Sequence, residues 1–139
     1  MKAKEFLLQA RYLDSRITSK LQQIESLNAL ATSCTSVISD MPRSPNKGGS
    51  KMADAVIKII TLQDEINKDI DNLIDLKREI MSAIKNTPNT EHQTLLEKRY
   101  LCLLTWEQIA VDMNYSMQHI HRMHSASLKE IQLILNHES

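Results

Sequence analysis

Near the end of the chain, five polar residues follow one another at helical spacing: Ser116, Gln118, His119, His121 and Arg122. Gln offers a paired donor and acceptor that suits adenine. Arg offers a fork that suits guanine N7 and O6 in a major groove. A serine at the start of a helix, together with the free first-turn amides, can meet a phosphate. Gln118, His119, His121 and Arg122 point away from the apolar stripe formed by Ile120, Met123, Ser127, Ile131 and Ile134. The pattern is that of a DNA-reading face, with Lys129 beside it as a phosphate contact and Lys98 and Arg99 as further candidates.

Such a face needs a scaffold, and the flanking residues supply one. Thr105 and Gln108 form a capping-box pair ahead of Trp106, Ile109, Ala110 and Met113, which share one helical face. Asn114-Tyr115 breaks the periodicity, and Asn tolerates the left-handed conformation that a sharp turn needs. Ser116 then caps a second helix. A further helix from about Glu91 to Leu101, capped by Thr90 with Gln93, supplies Leu95, Leu96 and Tyr100 as a third wall. Two helices joined by a short turn, with a third in support, read as a helix-turn-helix module. Trp106 reads as core, and Glu107 as a carboxylate that favours the helix N-terminus.

The run LLEKRYLCLLTWEQIAVDMNYSMQHIHRMH carries a family resemblance. It resembles DNA-binding region 4 of sigma-70-type factors, through Leu95, Arg99 and Tyr100, the run Leu104 to Ala110, the Tyr115-Ser116 turn, and Ile120, Arg122 and Leu128. Trp106 and the long helical stretch in front make the chain similar to ArpU/RinA-type phage transcriptional regulators. The resemblance implies promoter binding by the second helix of the motif and contact with RNA polymerase. It also implies base and backbone contacts at His119, His121 and Arg122, positions where the family often carries Thr, Lys or Arg.

Upstream, periodicity dominates. Residues 2 to about 32 alternate Phe6, Ala10, Leu13, Ile17, Lys20, Ile24, Leu27 and Ala31 at steps of 3 and 4, a heptad seam. A second helix, capped by Ser50 and ending near Lys85, carries the seam Met52, Val56, Ile59, Gln63, Ile66, Ile70, Leu73, Lys77, Ile80 and Ile84. At 1.5 Å per residue each helix is about 45–50 Å long. Residues 33–50 hold Pro42, Pro45, Gly48 and Gly49 and read as a solvated loop with a small basic cluster of Arg43, Lys47 and Lys51. The loop is long enough to reverse the chain. The expected fold is therefore all-α: a long antiparallel hairpin over residues 1–87, then a three-helix module over 88–139. Asn86-Thr87-Pro88-Asn89 is the expected hinge. A hairpin leaves Leu21, Leu30, Ile60, Leu62, Ile74 and Leu76 partly exposed, and a second copy would cover them, giving a homodimer through the N-terminal helices.

Composition narrows the function. The chain has 139 residues, zero formal net charge, 42% hydrophobic residues, two Gly and three Pro. From Glu91 onward, four Lys/Arg stand against six Asp/Glu, so the module is formally −2. All five histidines lie there, and their protonation below roughly pH 6.5 could make it net positive. Modest affinity from one module is the expectation, so tight binding to double-stranded DNA calls for a dimer or for RNA polymerase as co-partner. Cys34 and Cys102 form no paired motif, which points to a reduced, cytoplasmic protein. No apolar run reaches the ~20 residues of a membrane span. His121 and His124 lie three apart, but no cysteine or carboxylate completes a metal set, and no cofactor motif or catalytic constellation is present. An enzyme is not expected. Two rival readings remain: a small terminase subunit-like DNA-binding oligomer, and a protein-interaction module that no longer binds DNA.

Overall fold

Long heptad runs without internal breakers should fold as long helices, and they do. The computed structural model describes residues 1–40 and 45–138, and side chains outside 34–50. Its elements are α1 (Ala3–Asp40), α2 (Pro45–Lys85), α3 (Thr90–Leu96), α4 (Trp106–Met113) and α5 (Met117–Glu138), with a π-helical turn at Glu97–Leu101. All regular structure among the described residues is helical. The long helices run further than expected. α1 continues to Asp40, and α2 starts at Pro45 instead of after Ser50. Proline is favoured in the first turn of a helix, where its missing N–H costs nothing. Of the expected loop, residues 41–44, with Pro42 and Arg43, lie outside the described residues, as do the side chains of Lys47 and Ser50.

The chain divides into two compact units, Asp14–Asn72 and Met1–Leu13 with Leu73–Ser139. In the first unit α1 and α2 run antiparallel. Lys20 pairs with Asp69, while Leu27, Leu30 and Ala31 share a groove wall with Lys51, Ala55 and Lys58. The seam of α1 is the expected one: Ile17 is buried, and Lys20, Ile24, Leu27 and Ala31 are half-buried. The seam of α2 is shifted. Ile59 and Ile66 face inward as expected, but Val56, Gln63 and Ile70 are exposed, and Ala55, Leu62 and Asp69 take their places. Two overlapping stripes exist on α2, and packing selects the one that buries Leu62 and leaves the Gln63 amide in water. Leu62, expected to be partly exposed, is therefore buried, whereas Leu21, Leu30 and Ile60 are exposed. The polar element of the seam is a charge pair. Lys20 Nζ lies 2.6 Å from Asp69 Oδ2 and 3.7 Å from Glu65 Oε2, with Lys20 and Asp69 side chains 15% and 13% exposed.

The second unit has two apolar clusters. One joins Ala3, Leu7 and Ala10 of α1, Ile80, Ala83 and Ile84 of α2, Leu96, Tyr100, and Ile131 of α5. The other joins Leu95, Ile109, Ala110, Ile120 and Met123. Adjacent residues Leu95 and Leu96 lie about 100° apart around α3, so one short helix seals both cores. Gln132 Oε1 accepts the Ala3 N–H at 2.8 Å, which satisfies an otherwise free donor in the first turn of α1.

The link after α2, the expected hinge, is pinned by side-chain hydrogen bonds. Thr87 is buried, its hydroxyl donates to Ile84 O at 2.7 Å, and its carbonyl accepts from Gln93 Nε2 at 2.7 Å. Asn89, not Thr90, caps α3, its Oδ1 accepting from the Glu91 and His92 amides. Gln93 is thereby free to hold the linker.

Candidate nucleic-acid interface

The elbow of the module is built by capping chemistry. Thr105 Oγ1 accepts the Gln108 amide at 3.2 Å, and Gln108 Oε1 accepts the Thr105 amide at 2.9 Å, the reciprocal box expected from sequence. α4 ends at Asn114, in the left-handed region at φ 59° and ψ 40°, and the Tyr115 amide closes the turn on Ala110 O at 3.1 Å. Ser116 Oγ then accepts the His119 amide at 3.1 Å and starts α5. Leu103 also takes a positive φ of 59°, between the π-helical turn and α4. A leucine there has no local side-chain reason to adopt that conformation, which costs about 1–2 kcal/mol that packing must offset.

On α5, Ile120, Met123, Ser127 and Ile131 are buried, so the polar residues face out. Ser116, Gln118, His121, Arg122 and Lys129 are exposed, and His119 is half-buried. His121, Arg122, Ser125, Ala126 and Lys129 line a shallow groove of about 420 Å³ along α5. Gln118, Arg122 and Lys129 make no side-chain hydrogen bond or ion pair among the described residues. The two histidines are partly committed. His119 packs on Tyr115 with ring centroids 4.4 Å apart, and the Tyr115 hydroxyl donates to Glu91 Oε1 at 2.8 Å. That bond, more than any other influence, raises the Tyr115 pKa. His121 lies against Trp106 at 5.3 Å. Of the further candidates, Lys98 faces Asp112 at 3.5 Å, which occupies its charge.

Beneath this face is an aromatic lock. Tyr100 Oη and His124 Nε2 are 2.6 Å apart, Trp106 meets His124 edge-on at 4.6 Å, and Arg99 Cζ lies 4.3 Å above the Trp106 ring. Burial pushes the His124 pKa down to about 4, helped by Lys4 and Arg99, and burial raises the Tyr100 phenol to about 12. Near neutral pH, then, the phenol donates and a neutral imidazole accepts. Arg99 Nη1 donates to Leu104 O at 3.0 Å, fixing the strand of backbone that leads into α4. The π-helical turn carries both Arg99 and Tyr100, and its wider spacing re-aims them relative to a regular helix. A second strut, His92 Nδ1 to Glu130 Oε1 at 3.0 Å, ties α3 to α5.

Sequence reasoning found the elbow and its exposed face but missed the lock, the Tyr115–Glu91 brace and the part played by α1. Those are long-range pairings with no local signature. Chemically, the surface offers hydrogen-bonding and cationic groups on a rigid helix, suited to recognition. On α4, Val111 is 75% exposed beside Glu107.

A family model described as a protein of unknown function, DUF1492, matches residues 31–132, from the later part of α1 into α5. No curated protein matches the chain, and no solved structure does.

Proposed function

The chain belongs to the DUF1492 family, and from that premise we propose that it is a sequence-specific, DNA-binding transcriptional regulator of phage type. The observation that carries this reading is the capped elbow, which presents Gln118, His121 and Arg122 outward from a helix whose other side is locked into the core. α5 enters the major groove, Arg122 reads guanine and Gln118 reads adenine. Ser116 with the first-turn amides and Lys129 meet phosphates, while His119 and His121 contribute neutral donors and acceptors.

The protein acts as a homodimer. Val56, Ile57 and Ile60 stay exposed on α2, and an aliphatic strip of this kind on a solvated helix suits pairing with a second copy. Two modules then read two half-sites, which supplies the affinity that one near-neutral module lacks. RNA polymerase is the proposed protein partner, and the exposed Val111–Glu107 face of α4 supports a protein contact there.

The same face and the formal charge of −2 favour one alternative, a protein-docking module without DNA binding. Selection from fragmented genomic DNA at about 50 and 200 mM salt separates the two. Enrichment of one site, lost in His121→Ala/Arg122→Ala, is the expected result. No enrichment at the lower salt would leave protein docking as the reading.

A further inference from the structure

α2 has two apolar faces, and only one is covered. Leu62 and Ile66 are buried against α1, and Glu65 turns toward α1 as well, 3.7 Å from Lys20. The other face leaves Val56, Ile60, Ile70 and Ile74 between 39% and 58% exposed. Gln63 and Asn67, also exposed, complete that face, and the six positions follow one another at steps of 4 and 3, the spacing of a helix-pairing seam. Neither amide makes a side-chain hydrogen bond among the described residues.

The order of these residues is a mirror image about position 65. Ile60 and Ile70 stand five places to either side of it, Gln63 and Asn67 two, and Val56 and Ile74 nine. A helix of the same sequence laid antiparallel on this face therefore meets aliphatic with aliphatic and amide with amide. Sliding it by one heptad sets each amide against Val or Ile and buries it without a partner. A partner of unrelated sequence gains nothing from that symmetry, whereas a second copy placed by a twofold axis does. A parallel pair matches each residue to itself in any order. The mirror order thus favours the antiparallel pair, in which the two helix dipoles also oppose each other.

We propose that two copies of the chain pair through this stripe, α2 antiparallel to α2, with Ile60 of each copy on Ile70 of the other and the Gln63 and Asn67 amides hydrogen-bonded across the centre. This pairing rests on the homodimer reading above and gives it an interface, an orientation and a register. Each amide supplies donors and an acceptor to its counterpart, and such a polar layer sets register at some cost in stability. The pairing brings Asp64 of the two copies to the same side of the axis. Lys68, 3.4 Å from Asp64 within each chain, offsets their repulsion.

Sedimentation equilibrium of the full chain gives its mass, and mild oxidation of cysteine variants gives its register. Ile60→Cys and Ile70→Cys are made in a Cys34→Ser/Cys102→Ser background and oxidised singly, and again after refolding together in equal amounts. The expected results are a dimer mass and a covalent dimer that is abundant in the mixture and scarce in either variant alone. Ile60→Asp should weaken dimerisation roughly 100-fold at unchanged helix content, because it buries a carboxylate against isoleucine. Covalent dimers of Ile60→Cys alone, at or above the level in the mixture, overturn the antiparallel pairing while a homodimer stands. A dimer mass without a cross-link in any sample, or with Ile60→Asp as tightly dimeric as the wild type, moves the interface off this stripe and overturns the pairing. A monomer mass up to about 100 µM overturns the pairing and the homodimer together, and DNA reading is then judged by the genomic selection alone.

Discussion

Each unit sets a polar pair into an apolar seam, and the two solutions differ in kind. In the helical pair of Asp14–Asn72, Lys20 and Asp69 form an ion pair, and Glu65 stands by as a second acceptor. In the helix-turn-helix unit, Tyr100 and His124 are both neutral, held so by burial. A charge pair in a two-helix seam keeps some access to water and fixes register through Coulomb attraction, at a desolvation cost that nearly cancels its gain. A neutral bond in a drier core gains little as a bond but penalises any arrangement that leaves it unmade. The first solution specifies how two helices slide. The second specifies the angle at which α5 leaves its support.

The sharpest way to break this contrast is to remove the larger partner. Tyr100→Ala should cost about 3–5 kcal/mol in chemical denaturation, because it empties a core and strands His124. A loss below about 1 kcal/mol would show that the lock carries no weight.

Acidification should separate the two units next. The folded pKa of His124, about 4, lies below its unfolded value near 6.5, so the unfolded chain binds the extra proton first. The stability this contributes is complete above about pH 6.5 and is lost as pH falls towards 4. It should amount to about 1–2 kcal/mol once solvent screening of the half-buried ring is allowed for. Denaturant midpoints across that window should fall in the wild type and fall less in His124→Gln; equal falls would remove His124 as the cause.

Asp69→Ala should cost about 1 kcal/mol, softened by Glu65, whereas Lys20→Met/Asp69→Leu should be near neutral. A double variant as damaged as the single one would mean that the pair contributes net attraction. Smallest of all, Asn114→Ala should cost about 0.5–1 kcal/mol and Asn114→Gly close to nothing, since only the left-handed turn is at stake. Thermal melts resolve that difference.

What could be read in advance follows the range of the physics. The Thr105–Gln108 box, the Asn114 turn and the Ser116 cap are all settled within four residues, and each is where local chemistry puts it. The long helices and the α1 seam follow from periodicity alone. Periodicity could not choose between Leu62 and Gln63 on α2, because the choice depends on which stripe the partner helix covers. Nor could it foresee Leu103 at positive φ, a residue held there by its surroundings. The exposed face of α5 was legible because the buried stripe defines it by exclusion. The core behind it was half legible: Leu96 and Tyr100 stand next to the motif, but only the fold brings Leu7 and Ala10 of α1 to them.

The closing of that core bears on how the molecule is made. The core behind α5 needs Ala3, Leu7 and Ala10 of α1 together with Ile131 of α5 itself. The Ala3 amide finds its acceptor 129 positions away. Contacts so distant along a chain form late and slow folding, since the loop-closure entropy must be met before they stabilise anything. On the ribosome the paired long helices can assemble early, while the second core must wait until Ile131 has emerged. A half-synthesised chain would therefore carry the exposed aliphatic strip of α2, Val56, Ile57 and Ile60, before α5 has a core to pack on.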